Sequence, residues 1–174
     1  MLRNAIGFLV SVSLVSLAAV AAEPAGVSDK LGPSADEALA FVLNAQGVQI
    51  YACKPSAKDP YAYAWAFVAP EATLLEKGVT VGRHYAGPTW ESSSDRSSVK
   101  GAVRERQDGG TGNIPWLLLG ATPAEMDGKF AKVTSIQRLA TRGGVEPTDV
   151  CNEANAGKEV RVPYTADYYF YKRK

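Results

Sequence analysis

The chain has 174 residues, 46% hydrophobic and 21% charged, with 19 lysines and arginines against 18 acidic residues. That near-neutral balance, without a basic block, excludes the electrostatic footprint of a nucleic-acid-binding protein. The length bounds the chain to one domain with a substantial core.

In chain order, the N-terminus reads as an export signal. Met1-Leu2-Arg3-Asn4 brings one positive charge, and Ala5 to Val20 is apolar apart from Gly7 and three serines. Ala19-Val20-Ala21 and Val20-Ala21-Ala22 offer the small residues that a signal peptidase needs. The apolar run is shorter than the roughly 20 residues of a spanning helix, so residues 1–22 are expected to be removed, with no stable membrane span after cleavage. The protein is then periplasmic or extracellular. Without Arg3 the chain has 19 − 1 = 18 basic residues against 18 acidic ones. The cluster Lys172-Arg173-Lys174 is read as a solvated terminus.

Residues 23–33, EPAGVSDKLGP, read as a flexible lead-in to a single β domain over 34–174. Ala35 to Ala45 fits two templates. Ser34 with Glu37 matches a helix capping box, whereas Phe41-Val42-Leu43, the Gly47-containing turn and the alternating Val48 to Cys53 suggest strand, turn and strand. The second template is favoured. Tyr61, Tyr63, Trp65 and Phe67 recur at period two, which suits a pleated surface, and Pro70 is expected to end that strand. Val79 to Tyr85, Val99 to Arg106, Ile114 to Leu119, Phe130 to Thr141 and Val160 to Tyr171 complete the strand segments. Short strands with regular turn signals predict an all-β fold, an antiparallel β-sandwich or barrel with long loops.

The two cysteines, Cys53 and Cys151, lie 98 residues apart. In an oxidising compartment an even count predicts a disulfide, the alternative being two buried free thiols. Zinc is disfavoured, because two cysteines and one histidine lack the close ligand pairs of structural sites, and no metal is expected. No cofactor is expected either. Gly109-Gly110-Thr111-Gly112 leads into Asn113-Ile114-Pro115, not into a third glycine opening a helix, as a dinucleotide site requires.

The phrases GVQIYAC (47–53), VGRHYAGPTWE (81–91), IPWLLL (114–119), VTSIQRLATRGG (133–144) and RVPYTADYYFY (161–171) resemble a secreted family of bacteria and fungi, domain-of-unknown-function family 3455. The resemblance runs in order over nearly the whole of residues 23–174. It implies an extracytoplasmic single domain and no established activity. One departure is visible: the family's Asp-Gly-Ser turn after the Trp-Glu pair reads Asp95-Arg96-Ser97 here.

Two functional readings compete. The first is a non-enzymatic envelope or extracellular module that binds a small-molecule or polymeric ligand, with Tyr85, Trp90 and Tyr164 as candidate contacts. The second is a small secreted hydrolase or isomerase. It would use His84, the one histidine of the chain, as general acid or base, since either proton state is accessible near neutrality. Glu91, Asp95 or Asp167 would orient it. A structural reading of the same stretch is a hairpin turning at Asp95-Arg96, with exposed Glu91 opposite Lys100 and Trp90 opposite Gly101.

Overall fold

Period-two alternation after Ser34 builds strands that each bury one face, and the faces close on themselves. The computed structural model describes residues 23–59 and 61–174, so the expected signal segment 1–22 lies outside the described residues. The strands are β1 (Glu37–Pro55), β2 (Tyr63–Glu76), β3 (Val79–Tyr85), β4 (Thr89–Ser92), β5 (Ser98–Gln107), β6 (Trp116–Pro123), β7 (Val133–Gly143) and β8 (Glu159–Arg173). Each pairs antiparallel with the next, and β8 returns to β1, giving a closed barrel. This decides between the two expected all-β architectures.

Ala35 to Cys53 departs from the expected strand, turn and strand: β1 runs unbroken through it. Gly47 is a point of close approach instead of a turn. A Cβ there would run into the Glu71 carbonyl and the Ala72 backbone. Pro70 likewise does not end β2. It pairs with Gln49 just after a bulge, where Ile50 faces Ala69 and Tyr51 faces Phe67. β3 pairs with β2 only from Ala72 onward, so Pro70 lies where a missing N–H is tolerated.

One end of the barrel is shut. Phe130, in the loop between β6 and β7 and not in a strand as expected, is fully buried. Its ring meets Phe41 edge-on at 5.7 Å and Phe170 at 5.2 Å. Its N–H donates to Ser97 Oγ at 3.1 Å. Replacing this plug by leucine removes ring area and two aromatic contacts, so Phe130→Leu is expected to cost about 1–2 kcal/mol. A urea midpoint that does not move would show that the plug carries no weight.

The other end is framed by a small second cluster of Tyr51, Cys53 and Trp65, with Cys151, Val160 and Val162 against it. The Cys53–Cys151 disulfide is formed, and Trp65 Nε1 donates to Asp149 O at 2.9 Å. Both hold the loop before β8 over β1 and β2. The lead-in expected to be flexible lies against the outside of the barrel. Leu31 is wholly buried beside Leu118, Leu139, Tyr169 and Tyr171, and its carbonyl accepts from Gln137 Nε2 at 2.7 Å.

Candidate functional site

Alternation along β3 decides which way the candidates His84 and Tyr85 face. His84 pairs with Trp90 and Arg83 with Glu91, so His84 and Trp90 point into the barrel while Arg83, Tyr85 and Glu91 lie outside. His84 stacks on Trp90 with ring centroids 4.3 Å apart and meets Tyr168 edge-on at 5.2 Å. Its Nδ1 lies 2.9 Å from Thr89 O. A carbonyl only accepts, so Nδ1 carries the proton and Nε2 is the bare acceptor. Burial lowers the His84 pKa to about 3, with the Arg138 charge acting in the same direction and the Thr89 bond opposing it. His84 is therefore a neutral ring at ordinary pH. No carboxylate bonds to it among the described residues.

The acidic candidates are engaged elsewhere. The Glu91 side chain is only 8% exposed, not solvated as the hairpin reading has it. Its Oε2 accepts from Tyr85 at 2.8 Å and Arg83 at 2.9 Å, and its Oε1 pairs with Arg96 at 2.8 Å. The Tyr85 hydrogen bond, then Arg83, holds its carboxyl below the usual range. Asp167 accepts from Asn44 at 2.6 Å.

Asp95 organises the turn. Its Oδ1 accepts from Ser97 Oγ at 2.6 Å and Ser97 N at 2.9 Å, and its Oδ2 from Lys129 N at 2.8 Å. These bonds, the Ser97 hydroxyl first, hold the Asp95 carboxyl well below its ordinary value. They also explain the register. The loop spans residues 93–96, closed by Ser92 N to Ser97 O at 2.9 Å. Glu91 therefore faces Ser98 and Trp90 faces Val99, not Lys100 and Gly101 as the two-residue turn requires. Trp90 still covers Gly101, where a Cβ would meet its ring at 2.9 Å. Arg96 takes a left-handed φ of 62° in this loop. Its ion pair with Glu91 offsets that strain.

Inside the open end lies a cavity of about 530 Å³. Trp90, His84 and Tyr168 line it, together with Leu117, Leu119, Ile114 and the exposed lip residues Phe67, Val68 and Val103. Of the three ligand candidates, Trp90 is in the wall and Tyr85 is on the outer face. Tyr164 is buried inside the barrel, its hydroxyl beside those of Tyr168 and the Gln49 amide, but outside the wall.

Gln49, Tyr168, Arg106 and Arg138, none of them singled out as a site candidate from the sequence, also line the cavity. Gln49 Nε2, Trp90 Nε1 and the Tyr164 and Tyr168 hydroxyls are buried without a hydrogen-bond partner. Such groups are rare in folded proteins and cost about 1–3 kcal/mol each when unpaired. Arg138 sits in phase with the inward Ile136, the one signal that could have found it. Its Nε and one terminal nitrogen hold Pro115 O at 3.1 and 2.8 Å. Among the described residues no metal-ligand cluster is present and no helix is long and apolar enough to cross a membrane.

No curated protein and no solved structure matches the chain. The family model described as Protein of unknown function (DUF3455) matches residues 33–172, and the chain belongs to that family.

Proposed function

We propose that this protein is a non-enzymatic, exported binding module that takes one small molecule into the open end of its barrel. The observation that carries the reading is the cavity of about 530 Å³ floored by polar groups lacking partners. Its volume falls within the roughly 300–1,000 Å³ of small-molecule sites. An eight-stranded barrel has an interior wide enough for one such ligand. The exposed Phe67, Val68 and Val103 give the entrance an apolar lip. The Phe130 plug at the far end favours a small molecule, or a chain end, over a polymer threaded through the barrel. The disulfide accords with the export signal read from residues 1–22.

The hydrolase or isomerase reading has less behind it. A histidine with a pKa near 3 is a weak base, and Glu91 lies on the other side of the sheet wall.

The test is ligand-dependent stabilisation across a small-molecule library. A ligand at 100 times its Kd is expected to add about 2.7 kcal/mol to unfolding. Val103 is 42% exposed at the lip, so Val103→Trp blocks the entrance without touching the core. The shift should vanish in that variant. A shift that survives Val103→Trp, or a library without a stabiliser, would count against the cavity.

A further inference from the structure

The register places two cations in one row of the inner wall. Arg106 faces Leu117 across β5 and β6, Leu117 faces Arg138 across β6 and β7, and Arg138 faces Tyr168 across β7 and β8. Neighbouring strands are about 4.8 Å apart, so the two arginine backbones are about 10 Å apart, within reach of one bound group. All four residues of the row line the cavity.

Nothing in the wall neutralises this charge. Among the described residues no aspartate or glutamate lines the cavity, and neither arginine forms an ion pair. Arg138 uses Nε and one terminal nitrogen on Pro115 O, and its remaining N–H groups lie toward the Tyr168 hydroxyl in the cavity wall. Among the described residues Arg106 has no side-chain hydrogen bond. Beside the arginines, Gln49 Nε2 and Trp90 Nε1 are buried donors without acceptors, and the Tyr168 hydroxyl is buried and unpaired. The guanidinium N–H groups, Gln49 Nε2 and Trp90 Nε1 are donors, against His84 Nε2, the Gln49 amide oxygen and the Tyr168 hydroxyl as acceptors, and the donors alone carry positive charge. Planar guanidinium groups match a carboxylate in geometry as well as charge.

We propose that the cavity selects an organic carboxylate. The acid group is held by Arg106 and Arg138, and an apolar body packs on Trp90, Ile114 and Leu119. This assignment rests on the binding reading above and adds the ligand's charge to it.

Matched acid and amide probes test it: decanoate with decanamide, and 2-naphthoate with 2-naphthamide, titrated calorimetrically against the folded chain. Each acid is expected to bind at least tenfold more tightly than its amide, a difference of about 1.4 kcal/mol. Arg106→Gln, at an exposed position, should bring the pair closer together, and Arg106→Gln with Arg138→Gln should bring it to parity. The comparison of acid with amide on the unmodified protein stands even if the double variant fails to fold. Equal binding of acid and amide overturns the carboxylate assignment and leaves the binding reading in place. Binding by no member of either series overturns both. A preference for acids that survives in a folded double variant overturns the role of the two arginines.

Discussion

Removing the disulfide as the pair Cys53→Ala and Cys151→Ala is expected to lower the unfolding free energy by about 4–5 kcal/mol. The bridge closes a loop of 98 residues, and chain-entropy bookkeeping for a loop near 100 residues gives about 4.7 kcal/mol. The position of the bridge strengthens the expectation. β1 and β8 are the first and last strands, and their pairing shuts the ring. It is the most non-local contact in the barrel, so its closure entropy is the largest the chain must overcome. Cys53 lies near the end of β1, and Cys151 in the loop that leads into β8. The covalent link therefore holds the two edges of the seam near each other in the unfolded chain. Urea unfolding of the bridged protein, the reduced protein and the double alanine variant measures the effect. A loss below about 1 kcal/mol would mean that the seam is held by its own hydrogen bonds and the Tyr51 and Trp65 cluster.

Strand existence was legible because period two is a local signal. The expected Val79 to Tyr85 segment is β3 to the residue, and β5 and β8 differ from expectation only at their ends. The inward face of the barrel was much less legible, because bulges reset the phase. Between Val103 and Glu105 the register shifts, so Val103 and Arg106, three residues apart, both face inward. Simple alternation from Val103 would put Glu105 inside and Arg106 outside with Arg104. A second shift between Leu139 and Arg142 hides the phase at the end of β7. The architecture depends on the same quantity. A sandwich and a barrel differ in register and shear, which bulges set and hydrophobic alternation leaves open.

Turn chemistry produced the other departures. Asn44-Ala45-Gln46-Gly47 reads as a turn by composition. Yet Phe41, Leu43, Ala45, Gly47 and Gln49 continue one alternating series, with Leu43, Ala45 and Gln49 buried. Gly47 is needed there by the nearness of the β2 backbone and not by a change of direction. The Asp95 loop was misread by one residue in its centre. Its length depends on a bond from Asp95 to Lys129, 34 positions away, which no local pattern contains. The export segment stays an expectation from the first 22 residues.

Acidification from pH 6.5 to 4.5 is expected to remove about 2–3 kcal/mol of stability through His84 alone. The folded ring has a pKa of about 3, against an ordinary value of 6.5. Between those values the unfolded chain binds a proton that the folded chain does not. The contribution is thus complete above pH 6.5 and is lost as pH falls toward 3, at about 1.4 kcal/mol per pH unit. The lowered carboxyls of Glu37, Glu91 and Asp95 act in the same direction, but chiefly below their ordinary values of 4.5, 4.5 and 3.8. The range from pH 6.5 to 4.5 therefore isolates the histidine. In His84→Gln, stability should be nearly flat over that range. Because His84 is the one histidine in the chain, a single imidazole resonance reports its titration directly in the folded protein. A folded-state midpoint near 6.5 would mean that the ring is charged and hydrated. Its place as a neutral ring stacked on Trp90 in the cavity wall would then have to be abandoned, and an acid–base role would return to consideration. A resonance that stays neutral down to pH 4, with the expected loss of stability, identifies His84 as a fixed acceptor in the cavity wall.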